Sequence, residues 1–191
     1  MKLILASNNK DKLREFKEIL EPLGFEVKSQ REEGIVLEAE ENGTTFAENS
    51  YIKAKALYDI SGCAVVADDS GLEVDYLGGE PGVYSARYGG DEVDDIGRCY
   101  LVLDKLKGVP DEKRTARFVA VITYINEQGE SAQFKGTIEG RIGYERIGEH
   151  GFGYDPIFMV GDKSTAELDP EEKNAISHRG KALRALKEYL G

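Results

Sequence analysis

The alternation of short apolar runs with amphipathic stretches in the N-terminal third constrains the fold of this chain more than any other feature. Strands are predicted at 2–6, 25–29 and 63–67, of which the first and third are apolar runs. Between them, 9–20 and 45–62 carry apolar residues at helical spacing, and the second of these stretches opens with Thr-Phe-Ala-Glu, the pattern of a capping box. The resulting order β-α-β-α-β predicts a sheet with helices packed against it.

The rest of the chain adds a different pattern. Residues 93–106 are predicted to form a helix, and 116–126 and 131–138 a hairpin turning at Glu-Gln-Gly, with another strand starting at Arg141. A last helix is predicted over 177–190. Parallel βαβ units followed by an antiparallel hairpin predict an α/β fold with a mixed sheet, and the 191 residues fit one domain over 1–191.

Charge and apolar content exclude two classes of partner. A net charge of −11 argues against broad nucleic-acid binding, which requires a basic face. No apolar run approaches the ~20 residues of a membrane span. A small phosphorylated ligand remains compatible, provided that lysines and arginines are concentrated at its site.

Cysteine and histidine content limits the metal chemistry. Cys63 and Cys99 lack metal-ligand spacing and are expected to be small buried residues in a reducing compartment, the cytoplasm. Only two histidines are present, His150 and His178, too few for a histidine-built site. Any metal should therefore be a hard cation held by oxygen, meaning magnesium, manganese or calcium.

The segment between the first predicted strand and helix is polar and consists of Ser7, Asn8, Asn9, Lys10, Asp11 and Lys12. Backbone N–H groups at a helix N-terminus bind anions, and a lysine one turn into the helix can reach a phosphate oxygen. When the segment is taken alone, simple N-capping by asparagine is the better explanation.

Two adjacent carboxylates, Asp68 and Asp69, follow the third predicted strand and precede Ser70 and Gly71, and this group is predicted to end the strand. Ligands of α/β proteins bind at the carboxyl ends of strands. The pair can hold a divalent ion and deprotonate a water molecule if neighbouring cations offset their repulsion. A plain surface turn is the alternative, since Asp, Ser and Gly are turn formers.

An acidic stretch containing Glu38, Glu40 and Glu41 precedes the second predicted helix. These carboxylates could complete a metal site or could complement the helix dipole. On that helix, Lys53 and Lys55 could face phosphates, although lysines on a helix are commonly solvated.

Two C-terminal segments could contact a ligand: the first suits a nucleobase, and the second suits carbonyl oxygens or phosphates. In the first, Gly151 and Gly153 allow close backbone approach, Phe152 offers a flat stacking face and Asp155 an acceptor. The second contains Lys173 and the group Ser177, His178 and Arg179, which provides donors at the start of the last helix. An aromatic turn and an exposed helix start are the alternatives. Together, the five segments supply the parts of a nucleotide hydrolase.

The same segments, in this order and spacing, closely resemble the inosine triphosphate pyrophosphatase family. They read SNNKDK, TFAENSYIKAKA, VVADDSGLEVDYLGGEPGVYSARYGG, GFGYDPIF and ISHRGKAL, and they span nearly the whole chain. The resemblance implies Mg²⁺-dependent hydrolysis of non-standard purine nucleoside triphosphates (dITP, ITP and XTP) to the monophosphate and pyrophosphate, which cleanses the nucleotide pool. It also implies a homodimer and an elongated mixed β-sheet flanked by helices, in two lobes with the active-site cleft between them.

The resemblance assigns roles to individual residues. Asp69 would be the general base and a magnesium ligand, and Glu40 or Glu41 the second metal carboxylate, with Glu41 preferred. The substrate-binding residues would be Ser7, Asn8, Asn9, Lys10, Asp11, Lys12, Lys53, Ser70, Phe152, Gly153, Tyr154, Asp155, Lys173, His178 and Arg179.

One departure concerns the N-terminal segment. Many members of that family have glycines where this chain has Asn8 and Asp11. Because Asp11 would repel a triphosphate, its side chain is expected to face solvent.

Two other functions fit the same residues. The chain could be a related pyrophosphatase acting on modified pyrimidine or methylated nucleotides, or a non-catalytic nucleotide-binding protein. A panel of nucleotides separates the first from the family's activity, and pyrophosphate release separates the second.

Overall fold

The computed structural model describes residues 1–191, which form seven strands and five helices. The strands are β1 (Lys2–Leu5), β2 (Glu26–Ser29), β3 (Val65–Val74), β4 (Thr115–Ile125), β5 (Ser131–Ile142), β6 (Phe158–Val160) and β7 (Lys163–Ser164). The helices are α1 (Lys10–Leu20), α2 (Phe46–Ser61), α3 (Asp95–Lys105), α4 (Pro170–Ile176) and α5 (His178–Leu190).

All strands belong to one sheet in the order β2-β1-β3-β4-β5-β6-β7. Strand β1 is parallel to β2 and β3, whereas β6 is antiparallel to β5 and β7. The predicted α/β class with a mixed sheet is confirmed.

Capping explains where the long helices begin. Asn9 accepts hydrogen bonds from the first turn of α1, and Thr45 and Glu48 form the predicted capping box of α2. Helix α3 begins two residues later than predicted because Asp94 is its N-cap and accepts a hydrogen bond from the Gly97 amide. None of the five helices combines the length and hydropathy required to cross a membrane.

The prediction that Asp68 to Gly71 ends a strand was wrong. Strand β3 continues through these residues to Val74, and both aspartates are buried. Their carboxylates bond to cationic side chains of other elements, so they do not form the local turn that Asp and Ser favour in isolation.

The prediction of a separate strand at Arg141 was also wrong, because Arg141 lies inside the twelve-residue β5. Gly140, which directly precedes Arg141 in β5, is required by the neighbouring strand. A Cβ at this position would lie 2.4 Å from the carbonyl oxygen of Met159 in β6. Strands β6 and β7 and helix α4 were not predicted, since runs of two to seven residues leave little periodic signal.

The chain divides into two compact units. Unit 1 comprises residues 1–69, 120–136 and 179–191. Two apolar clusters of unit 1 use alternate residues of the same strands: Leu3, Leu5 and Val66 pack with α1 and α5, and Ile4, Val65 and Ala67 pack with α2. Because strand side chains alternate between faces, α2 lies on one face of this part of the sheet and α1 and α5 on the other.

Unit 2 comprises residues 70–119 and 137–178. Its core joins Leu72 of β3 and Phe118 of β4 to Val102 of α3, Ile142 of β5 and Phe158 of β6. This core supports the loop that precedes β6.

Candidate active site

Seven charged side chains of unit 1 are linked by ion pairs, and we call them the charged cluster. They are Lys12, Glu15, Glu41, Lys53, Asp68, Asp69 and Arg179.

Asp68 points to the sheet face covered by α1 and α5. Its Oδ2 lies 2.9 Å from Nζ of Lys12 and 3.1 Å from Nη2 of Arg179, whose Nη1 bonds to Glu15. Burial alone would raise the pKa of Asp68, but the adjacent Arg179 and Lys12 hold that pKa well below its ordinary value. Asp68 is therefore a permanent counter-ion for the buried Arg179 and the partly buried Lys12.

Asp69 points to the opposite face, toward α2. Its Oδ1 accepts a hydrogen bond of 3.0 Å from Nζ of Lys53, which also lies 3.3 Å from Oε2 of Glu41. Burial raises the pKa of Asp69 to about 6, although Lys53 opposes the shift. Oδ2 of Asp69 is buried and has no hydrogen-bond partner. A buried carboxylate oxygen in this state calls for a proton, a water molecule or a cation.

The pair Asp69 and Glu41 suits a hard cation. No group of three or more His, Cys, Asp or Glu side chains is assembled to hold a metal by itself. Mg²⁺ requires no such group, since one or two carboxylates commonly bind it together with substrate phosphates and water. Glu41 is partly buried and pairs with Lys53, whereas Glu40 is exposed. The geometry therefore favours Glu41 over Glu40.

The N-terminal segment surrounds the start of α1. Oδ1 of Asn9 accepts hydrogen bonds from the amides of Asp11 and Lys12, so it caps the helix. Asn8 and Lys10 are exposed, and the side chain of Asp11 is 40% exposed and pairs with Arg14. Lys12 reaches from this segment to Asp68.

On α2, the two lysines differ in environment. Lys53 is largely buried within the charged cluster, while Lys55 pairs with Asp59 on the surface. Lys55 is thus a solvated helix lysine.

In unit 2, Asp155 organises the predicted base loop from within. Its Oδ2 lies 2.7 Å from Nζ of Lys173 and accepts a hydrogen bond from the Phe152 amide, while Oδ1 accepts one from Thr165 Oγ1. A Cβ on Gly151, which has φ of +71°, would collide with this carboxylate. Asp155 thus shapes the loop with the same carboxylate that the sequence offered as a ligand acceptor.

Aromatic rings accompany these polar contacts. Nζ of Lys173 lies 4.8 Å from the ring centre of Phe152, a cation–π distance. His178 stacks on Phe118 at 4.9 Å between ring centres. We call Phe152, Asp155, Lys173, His178 and Phe118 the aromatic loop cluster.

The loop is also tied to the rest of unit 2. Asp95 of α3 accepts a hydrogen bond from the Gly153 amide, and Sγ of Cys99 donates to the Gly153 carbonyl. Tyr154 is buried, and its hydroxyl donates to the carbonyl of Ser85. Gly153 and Tyr154 are therefore anchors of the loop.

Ser70 lies in β3 directly after Asp69 and is partly buried. This places its hydroxyl-bearing side chain on a rigid strand, not on the surface turn that the sequence suggested.

Glu15, the buried partner of Arg179, is not among the residues predicted from the sequence. A signal was available: Glu15 precedes Phe16 and follows Lys12 by three residues, on the apolar side of α1. A charged residue at such a position predicts a buried ion pair.

Comparison with known proteins follows this geometry. The chain matches the Ham1 family model over residues 3–189, and it belongs to the Ham1 family. The dITP/XTP pyrophosphatase of Bacillus subtilis is 50% identical over 189 residues, which are 98% of this chain and 96% of that protein. The dITP/XTP pyrophosphatase of an Exiguobacterium species is also 50% identical, over 100% of this chain and 97% of that protein.

Solved structures agree. The Staphylococcus aureus Ham1 protein superimposes with a TM-score of 0.88 at 42% identity, covering 100% of this chain and 98% of that one. The family predicted from the five motif segments is confirmed.

Proposed function

We propose that this chain hydrolyses dITP, ITP and XTP to the monophosphate and pyrophosphate. The observation that carries the proposal is the state of Asp69: a buried carboxylate with a pKa of about 6 and an unpartnered oxygen, held by Lys53 beside Glu41. The names of the relatives, which cover nearly the whole chain, support the choice of substrate.

Asp69 would act as general base. A carboxylate whose pKa lies near the working pH can accept a proton from water and still be ionised in a substantial fraction of molecules. Oδ2 would orient the water molecule that attacks the α-phosphorus, while Lys53 fixes Oδ1. Attack at that atom releases pyrophosphate.

Glu41 and Asp69 would hold Mg²⁺, which neutralises charge on the substrate phosphates when it is bound. The cations of the cluster add to that neutralisation. Lys12 and Lys53 lie beside Asp68 and Asp69 and would stabilise the negative charge of the leaving pyrophosphate. The exposed N-terminus of α1, at Asn8 to Lys10, would receive phosphate oxygens.

The aromatic loop cluster would bind the base. Phe152 would stack on the purine, and donors from Lys173 and His178 would bind the keto oxygen at position 6. Adenine has an amino group there and would leave these donors unpaired, a mismatch that costs on the order of 10⁴-fold in specificity. Backbone near Phe152 would exclude the 2-amino group of guanine.

Two further properties belong to the proposal. A homodimer is expected from the family resemblance. A cytoplasmic location is supported by two free thiols, Cys63 and Cys99.

The test measures pyrophosphate released from dITP, ITP, XTP, GTP and ATP with Mg²⁺ and with EDTA. We expect rapid release from the first three, slow release from ATP and GTP, and none with EDTA. Equal rates for GTP and ITP would contradict the base pocket, and orthophosphate as the product would contradict the α–β cleavage.

A further inference from the structure

A line of hydrogen bonds lies between α2 and the sheet within unit 1. Nε2 of Gln133 in β5 lies 2.9 Å from Oγ1 of Thr123 in β4, which lies 2.8 Å from Oγ of Ser50 in α2. Oγ of Ser50 lies 3.1 Å from the carbonyl oxygen of Ala67 in β3. Ser50 and Thr123 are completely buried.

The chemistry of the groups fixes the direction of this line. The Ala67 carbonyl can only accept, so the single hydroxyl hydrogen of Ser50 points to it. Thr123 therefore donates its own hydrogen to Ser50, and the amide of Gln133 donates to Thr123. Gln133 also donates to the carbonyl of Ala47 in α2, which fixes the orientation of its amide.

The Ala67 carbonyl faces away from β1, because the carbonyls of Ala64 and Val66 accept the amides of β1 and carbonyl directions alternate along a strand. Ser50 supplies this carbonyl with a hydroxyl donor from α2. The same carbonyl belongs to the peptide group that leads into Asp68 and Asp69.

Helix α2 thus holds the reacting segment at two points. Ser50 binds the backbone at Ala67, and Lys53, three residues later on the same helix, binds the carboxylate of Asp69. Residues three apart lie on one helix face. Helix α2 therefore fixes both the backbone and the side chain of the Asp69 segment.

We infer that Ser50 and Thr123 are positioning residues for Asp69, acting through the Ala67–Asp68 peptide group. The inference rests on the proposed function, in which Asp69 is the base. Partners behind the groups that contact a metal or substrate typically change affinity or activity about 10- to 100-fold when they are removed, and small displacements of a catalytic group have effects of that order.

The experiment compares four variants of the full chain. Thr123→Val removes the hydroxyl at nearly constant shape, and Thr123→Ser keeps the hydroxyl. Ser50→Ala removes the donor to Ala67. Ser29→Ala is the matched control, because Ser29 is also buried in unit 1 and its hydroxyl accepts a backbone hydrogen bond, from Glu32.

Three quantities are measured for each protein: kcat and KM for dITP, the affinity of the substrate-free enzyme for Mn²⁺ by calorimetry, and the melting temperature. We expect Thr123→Val and Ser50→Ala to lower kcat about tenfold or more, with KM within about threefold, and to weaken Mn²⁺ binding. Thr123→Ser should retain most of the wild-type kcat and most of the wild-type affinity for Mn²⁺. Ser29→Ala should lower only the melting temperature.

The inference is overturned if folded Thr123→Val and Ser50→Ala keep kcat within about twofold of the wild type, or if Thr123→Ser is as impaired as Thr123→Val. An equal loss of kcat in Ser29→Ala would also overturn it, since the effect would then follow stability alone. A wild-type chain inactive toward every nucleotide would refute the proposed function instead, and the Mn²⁺ affinities of the variants would still decide the positioning role.

Discussion

The charged cluster of unit 1 and the aromatic loop cluster of unit 2 use buried charge in opposite ways. Four carboxylates meet three cations in the charged cluster, and the buried Oδ2 of Asp69 has no hydrogen-bond partner. In the aromatic loop cluster a single ion pair, Asp155 with Lys173, is completed by hydrogen bonds from Thr165 and the Phe152 amide.

This difference in buried charge matches the two proposed roles: catalysis for the charged cluster and recognition of the base for the aromatic loop cluster. Burial keeps the pKa of Asp69 high, although Lys53 opposes the shift, and a raised pKa suits proton transfer and cation binding. A satisfied ion pair beneath an aromatic ring gives a rigid loop, which suits the selection of a planar base. Substitution of Asp69 should therefore change kcat and the pH profile, and substitution of Phe152 should change KM and specificity.

The sharpest test of this comparison is Asp69→Asn. Loss of a general base typically costs 10²- to 10⁴-fold, so we expect kcat for dITP to fall about 10³-fold while KM changes little. Steady-state pyrophosphate release measures both constants. Asp59→Asn, at an exposed ion pair on α2, is the matched control and should retain wild-type turnover. Near-normal turnover of Asp69→Asn would contradict the role of Asp69 as general base.

The two adjacent aspartates should have opposite effects on stability. Asp68→Asn leaves Arg179 and Lys12 without their shared counter-ion, which should lower the free energy of unfolding by about 3–5 kcal/mol. Asp69→Asn removes a carboxyl whose pKa is raised from 3.8 to about 6. The stability contributed by that group is present below pH 3.8 and is lost as the pH rises through about 6.

Metal-free Asp69→Asn should therefore be more stable than the wild type at neutral pH, by about 1–2 kcal/mol. Urea denaturation in EDTA at pH 7.5 measures both variants. Destabilisation of similar size in the two would show that the aspartates have equivalent environments, against the geometry.

In unit 2, Phe152→Ala should act on binding. Stacking of a base on an aromatic ring contributes about 1–3 kcal/mol, so KM for dITP should rise about tenfold or more with a smaller change in kcat. Phe152→Tyr keeps the ring over Lys173 and serves as the control. A fall in kcat at unchanged KM would show that the loop takes part in catalysis. The two clusters would then not differ in the way proposed here.

The smallest expected effect is a shift in the pH profile. Because the pKa of Asp69 is raised to about 6, kcat/KM at low Mg²⁺ should fall as the pH drops below that value. A bound cation favours the ionised carboxylate, so more Mg²⁺ should move this acid limb to lower pH. Phe152→Ala should leave the pH of this acid limb unchanged. An acid limb that does not respond to Mg²⁺ would assign the titration to another group.

Much of the fold could be predicted from local patterns. Short stretches of sequence specify the caps of α1 and α2 and the apolar runs of β1 and β3. The prediction failed at Asp68 to Gly71, where turn-forming residues continue a strand, and at Arg141, where β5 continues past a glycine that its neighbouring strand requires. In both places contacts from distant parts of the chain override local preference.

The candidate site divides in the same way. By itself, the sequence determined which residue types are available: a carboxylate pair after a buried strand, lysines at two helix starts, an aromatic glycine-rich loop, and a family resemblance that names the reaction. It did so because these residues occur in contiguous motifs whose spacing reflects local backbone geometry.

Only the tertiary structure decided how the two adjacent carboxylates differ. Neighbouring strand residues point to opposite faces, so Asp68 meets Arg179 from the last helix while Asp69 meets Lys53 from α2. The ionisation of each carboxylate depends on cations 16 and 111 residues away along the chain. No local pattern encodes those distances, because burial and charge at a site are set by whichever elements the fold packs around it.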